Sequence, residues 1–123
     1  MTNKEVLTEV ESLIMMTLWD HEEDITFQTM MKEIRERGGR DYKDPNIRPV
    51  ILRLEYKGFL ESHKENGQVI LHPLVSRAQY GARVAKRDAD AWFAGSVSNM
   101  IASLRDSRQI SEEEWEKIRE LLQ

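Results

Sequence analysis

From Ile47 to Tyr56, residues Arg48, Pro49, Leu52, Arg53 and Tyr56 recur on one side of a helix stepping about 100° per residue, with Ile47, Val50, Ile51 and Leu54 on the other. Two guanidiniums, a phenol and two apolar side chains on one outward face suit a polyanion that also offers apolar edges. Arg48 can reach guanine edges or phosphate, and outward Pro49 and Leu52 suit thymine methyl groups in a major groove. Arg53, Tyr56 and Lys57 are better placed for backbone contacts. Asn46 heads the helix, and Lys43 precedes it. Lys64 stands beside a Glu65-Asn66-Gly67 turn. Lys32, Arg35 and Arg40 join Lys43 and Lys64 as candidates for flanking phosphates. A solvated helix face is the competing reading of all these charges.

Other chemistries find no support. None of the 123 residues is cysteine, which excludes disulfides, thiolate nucleophiles and cysteine-ligated zinc or copper. His63, His72 and Glu61 share one hairpin face but lack a fourth metal ligand. Asp88 with Asp90, and Glu112 to Glu114, have no pocket signature around them. Gly-rich phosphate loops, nucleophile elbows and His-Glu-x-x-His helices are absent. We therefore expect no metal, no cofactor and no enzymatic activity. The net charge of −4 hides a pattern: residues 1–25 carry −6, residues 26–64 carry +3, and residues 96–123 carry −2. A basic middle in an acidic chain fits a polyanion-binding face. A basic segment followed by an apolar run is missing from the first 25 residues, so a cytoplasmic protein without a membrane segment is expected.

These residues need elements to carry them. Thr8-Glu9-Val10-Glu11 is a capping box, and Val10, Leu13, Ile14, Thr17 and Leu18 continue it as a helix to about His21. Thr26 caps a second helix through Phe27, Met30, Met31 and Ile34, stopped by Gly38-Gly39. For the third, Asn46 is taken as N-cap, which puts Pro49 at the third helical position, where no N–H is needed. Asn66-Gly67 then signals a hairpin between 59–64 and 68–73. Three helical stripes follow: Ala78 to Phe93, Val97 to Leu104, and Trp115 to Leu122.

Helix, helix, helix, hairpin is the winged helix-turn-helix order, in which the third helix enters the major groove. The expected architecture is mostly α with a small β-hairpin: a winged-helix DNA-binding domain over residues 1–75, then an α-helical dimerisation region over 76–123. A 48-residue tail is too small for a good core of its own. Ala82, Ala85, Ala89, Trp92, Phe93, Ile101, Leu104, Trp115, Ile118 and Leu122 are its candidate dimer contacts, with packing inside one chain as the alternative.

The run Asn46-Ile47-Arg48-Pro49-Val50-Ile51-Leu52-Arg53-Leu54-Glu55-Tyr56-Lys57-Gly58-Phe59-Leu60 resembles the recognition-helix signature of the penicillinase repressor family (BlaI/MecI-type regulators). Leu7 to Glu11 with Thr17-Leu18-Trp19-Asp20 is similar to its first helix, and Ser96 to Ile101 with Glu112 to Leu122 to its dimerisation helices. Asn46 and Pro49 stand where the family carries threonines, and Pro49 lacks a hydroxyl for phosphate or base. The resemblance implies a homodimeric repressor of transcription on a palindromic double-stranded operator, occluding RNA polymerase. It also implies a regulatory protease as partner, cutting at Asn99-Met100, where Met replaces the family's Phe. The alternative function is a winged-helix protein-interaction module, with Pro49 and Leu52 docking a partner.

Overall fold

The computed structural model describes residues 6–123. Thr8 starts the first helix as its capping box requires: its Oγ1 accepts from the Glu11 N–H, and Glu11 Oε1 accepts from the Thr8 N–H. Helix α1 runs Glu9–Trp19. The next two residues to be ordered as sheet, Ile25–Thr26, form β1, followed at once by α2, Phe27–Gly38. Thr26 caps α2 through the Thr29 N–H, and Gly39 ends it with φ 65°, a left-handed position that glycine adopts without strain.

Helix α3 spans Asp44–Tyr56, three residues longer at its start than Asn46 capping allows. Lys43 is the N-cap and makes no side-chain cap bond, while Asn46 is the third helical residue. The reason is Pro45. In the first turn its missing N–H costs nothing and its fixed φ is already helical. Pro49 consequently sits inside the helix, and the bond it cannot make is the one to the Pro45 carbonyl. Pro45 and Pro49 are both exposed, so water can take that carbonyl and the ring meets no neighbour in the core.

Strands β2, Leu60–Glu65, and β3, Gln68–Pro73, pair antiparallel with Ser62 opposite Leu71 and Lys64 opposite Val69. Asn66 (φ 54°) and Gly67 (φ 78°) close the turn, both left-handed as a two-residue hairpin demands. The sequence reading missed β1, which adds to the far edge of β3 with Ile25 opposite Leu71. Asp24 reinforces that edge: its carboxylate lies 2.9 Å from His72 Nδ1, and the contact raises the imidazole pKa. His72 is thus a tether between elements rather than a bare surface histidine.

The core gathers Ile14, Met15 and Leu18 of α1, Phe27, Met30, Met31 and Ile34 of α2, and Ile47, Val50, Ile51 and Leu54 of α3 over Leu60 and Leu71. Phe59 is fully buried beneath them. Helix α4, Arg77–Trp92, opens on a second capping box between Ser76 and Gln79. Its Tyr80 belongs to this core: the ring lies 5.5 Å edge-on to Phe59 and 5.9 Å from Trp19, and the hydroxyl accepts from the Leu7 N–H. Trp19 Nε1 donates to the Val75 carbonyl. Asp20, at the C-cap of α1, binds Arg37 and Arg77, and those bonds hold its carboxyl down to about 2.

The chain divides into two compact units after Gly81. The second holds the rest of α4, then α5, Val97–Asp106, and α6, Glu112–Leu121, capped by Ser96 and Ser111. Ala94 adopts φ 50° at the joint between α4 and α5, next to Gly95 at φ 81°. An L-residue there is strained by about 1–2 kcal/mol. Ala94→Gly should therefore raise stability by about 0.5–1 kcal/mol, read as a higher thermal midpoint.

Candidate nucleic-acid interface

Four buried side chains, Ile47, Val50, Ile51 and Leu54, pin one side of α3 to the core. The opposite side is thereby forced outward, and it carries Arg48, Pro49, Leu52, Arg53 and Tyr56. Leu52 is 65 % and Tyr56 74 % exposed, large values for an apolar and an aromatic residue. Asn46 is exposed at the start of the same helix.

Arg48 is not a loose side chain. Its guanidinium carbon lies 4.5 Å above the centre of the Phe27 ring, a cation–π contact that sets its direction. There it borders an open cleft of about 120 Å³ with Thr26, Phe27 and Gln28 from the start of α2 and Gly67, Gln68 and Val69 from the hairpin. Third helix, second helix and wing thus meet at Arg48. Gln28 and Gln68, both exposed on the rim, escaped the sequence reading. An amide offers a donor and an acceptor to a base edge or phosphate, but a single Gln at a strand end or in a first helical turn leaves no pattern to find.

The lysines separate sharply. Lys64 is exposed on the wing and, among the described residues, makes no hydrogen bond or ion pair. Lys43 is exposed but held 2.6 Å from Asp41, whose carboxyl it draws below its usual range. Lys57 corrects the expectation of a backbone contact: it points inward, its side chain only 11 % exposed. Its Nζ donates to Glu11 Oε1 at 2.6 Å and to the Val6 carbonyl at 3.2 Å. Helical angle alone put Lys57 on the rim of the outward face, and a long side chain can still fold back to a buried carboxylate. Burial works to raise the Glu11 pKa, but the bonds from Lys57 and the Thr8 N–H outweigh it and hold the carboxyl below its usual range.

In the second unit most of the expected contact residues are unburied. Ala89 alone is fully buried, Trp92 is 76 % and Leu122 81 % exposed, and Ala82 and Ala85 are exposed. Leu104 is 39 % exposed, whereas Phe93, Ile101, Trp115 and Ile118 are half-buried. Arg105 covers the Trp115 ring at 4.6 Å. Asn99 is exposed and Met100 half-buried, both in the first turn of α5. Among the described residues, no three His, Cys, Asp or Glu side chains come together to hold a metal, and no helix is long and apolar enough to cross a membrane.

A family profile described as penicillinase repressor matches residues 7–123. The penicillinase repressor of Bacillus licheniformis is 22% identical over 117 residues, covering 95% of this chain and 89% of that protein. The methicillin resistance regulatory protein MecI of Mammaliicoccus sciuri is 25% identical over 83 residues, 68% of each chain. Its counterpart in Staphylococcus aureus strain N315 is 24% identical over the same length.

Proposed function

This chain belongs to the penicillinase repressor family, and from that premise we infer that it represses transcription by binding a palindromic operator as a homodimer. The observation that carries the reading is the outward face of α3, apolar and cationic at once, meeting the wing and the start of α2 at Arg48. Occupying the operator blocks RNA polymerase and asks for no cofactor or catalytic group. Two-fold symmetry of the protein then dictates two half-sites about one helical turn, or a multiple of it, apart. The relatives are named as repressors and regulators, not as enzymes.

The homodimer draws its support from the second unit. Helices that leave Trp92, Leu121 and Leu122 about four-fifths exposed do not bury their own apolar stripes. A second copy of the same surface is the simplest cover, since an isologous interface needs only one self-complementary patch. Loss of that interface is also the route to release from DNA. Cutting Asn99-Met100 would detach α6 and most of α5, but the bond lies in a helical turn and that turn must first open.

Selection of bound duplexes from random DNA tests the reading directly: an inverted repeat should be enriched. Arg48→Ala should cost about 1–3 kcal/mol on that operator and relax preference at one position per half-site. Lys64→Ala should weaken all sequences alike and lower the salt slope by about one. Equal effects of both variants on operator and random DNA would remove Arg48 from the role of base reader. Exposed Leu52 also fits the protein-docking alternative, and an affinity indifferent to salt would favour it.

A further inference from the structure

We propose that Glu11 is a positioning residue for DNA binding: from α1 it holds the Nε edge of Arg53, so that the remaining guanidinium N–H groups face a backbone phosphate. The proposal rests on the DNA-binding reading above. Glu11 is completely buried, yet its two oxygens have different lives. Oε1 accepts from the Thr8 N–H at 2.8 Å and from Lys57 Nζ at 2.6 Å, which completes both the helix cap and the ion pair. Oε2 is buried and, among the described residues, has no hydrogen-bond partner. Arg53 Nε lies 3.5 Å from it.

A buried carboxylate oxygen left open is costly, and native proteins rarely tolerate one without a use. The fold has no need of it here, because Lys57 already balances the charge. Arg53 is different from Lys57 in being 54 % exposed on the face that carries Arg48 and Leu52. A guanidinium has five N–H donors in a planar fork, so the Nε edge can serve Oε2 while both Nη groups serve a phosphate. Closing 3.5 Å to a normal bond length takes only a few tenths of an ångström of side-chain motion. Phosphate binding and the Glu11 bond then tighten together, because each fixes the plane the other needs.

Binding of full-length protein to the selected operator and to a random duplex, measured across salt concentrations, tests this. Glu11→Gln keeps an oxygen for Thr8 and Lys57 but removes the charge facing Arg53. It should weaken both duplexes by about tenfold, the scale of ordering one long side chain, and flatten the salt slope by up to about one. In an Arg53→Ala background the same substitution should change neither quantity. Arg53→Lys, which keeps the charge but loses the fork, should fall as Arg53→Ala does; wild-type binding by Arg53→Lys overturns the proposal even if Glu11→Gln folds poorly. Tighter binding with a steeper slope in Glu11→Gln would show that Glu11 restrains Arg53 instead, and equal weakening in both backgrounds would place the effect in the fold. A wild-type protein whose affinity ignores salt would remove the DNA-binding reading itself.

Discussion

A chain ending at Gly81 is expected to bind its operator about 10²–10⁴-fold more weakly than the full chain while keeping the fold of its winged unit. The core needs nothing beyond that point: the buried hydrophobic side chains other than Ala89 lie at or before Leu71, and Tyr80 completes them. The cut must leave Tyr80 in place. A chain ending at Val75 would lose the ring against Trp19 and Phe59, the Leu7 hydrogen bond and the Arg77 bond to Asp20, and would test folding rather than assembly. What the Gly81 variant lacks is the second unit, where Trp92, Leu104, Leu121 and Leu122 stand exposed. If those side chains join two copies, each bound half-site holds the second winged unit at a high effective concentration, and cutting the link forfeits that gain without touching a base contact. Analytical ultracentrifugation should find the full chain dimeric and the shortened one monomeric. A monomeric full-length protein at micromolar concentration, or a shortened one that binds undiminished, would sink the dimer.

Much of this molecule is legible before any coordinates. Capping boxes at Thr8 and Ser76, the Thr26 and Ser111 caps and the Asn66-Gly67 turn are local devices whose partners lie within a few residues, and each forms as read. The outward face of α3 is legible for the same reason, since helical period alone separates Leu52 from Ile51. Reading fails where the partner is distant in sequence. Ile25–Thr26 becomes a strand only because β3 offers an edge some 45 residues later, as Ile25 opposite Leu71 shows. The start of α3 is hard to read because two prolines compete to define it, and Pro45 in the first turn outweighs an Asn46 cap. The wing and α2 meet at Arg48 through tertiary packing, so neither Gln28 nor Gln68 stands out in the sequence. Lys57 is the sharpest case. Angle on the helix placed it at the DNA rim, and only the buried carboxylate 46 residues earlier explains why it turns away.

That inward lysine yields the second large effect. Lys57→Met should destabilise the protein by about 3 kcal/mol near pH 7, because it leaves Glu11 as a fully buried anion without its principal cation. Arg53 stays within 3.5 Å of Oε2 and keeps the loss at the low end of what breaking a buried pair costs. The pH dependence carries the diagnosis. In the wild type the Glu11 carboxyl is held below its usual range, so its contribution is full above the unfolded value and is lost as pH falls through the folded one. In Lys57→Met the lowering bonds from Lys57 are gone and burial pushes the carboxyl upward instead. The penalty is then present above the raised folded value and relieved as pH falls through it. Urea unfolding at pH 7 and pH 5 should therefore show the gap between the two proteins closing on acidification. A gap that ignores pH would mean that the lysine stem matters for packing and its charge does not. At temperatures where both proteins are folded, the salt slope of operator binding should be the same for the two, because a cation spent on Glu11 releases no counterion from DNA. A slope lowered by about one in Lys57→Met would instead return Lys57 to the phosphate backbone, and the inward rotamer would not survive binding.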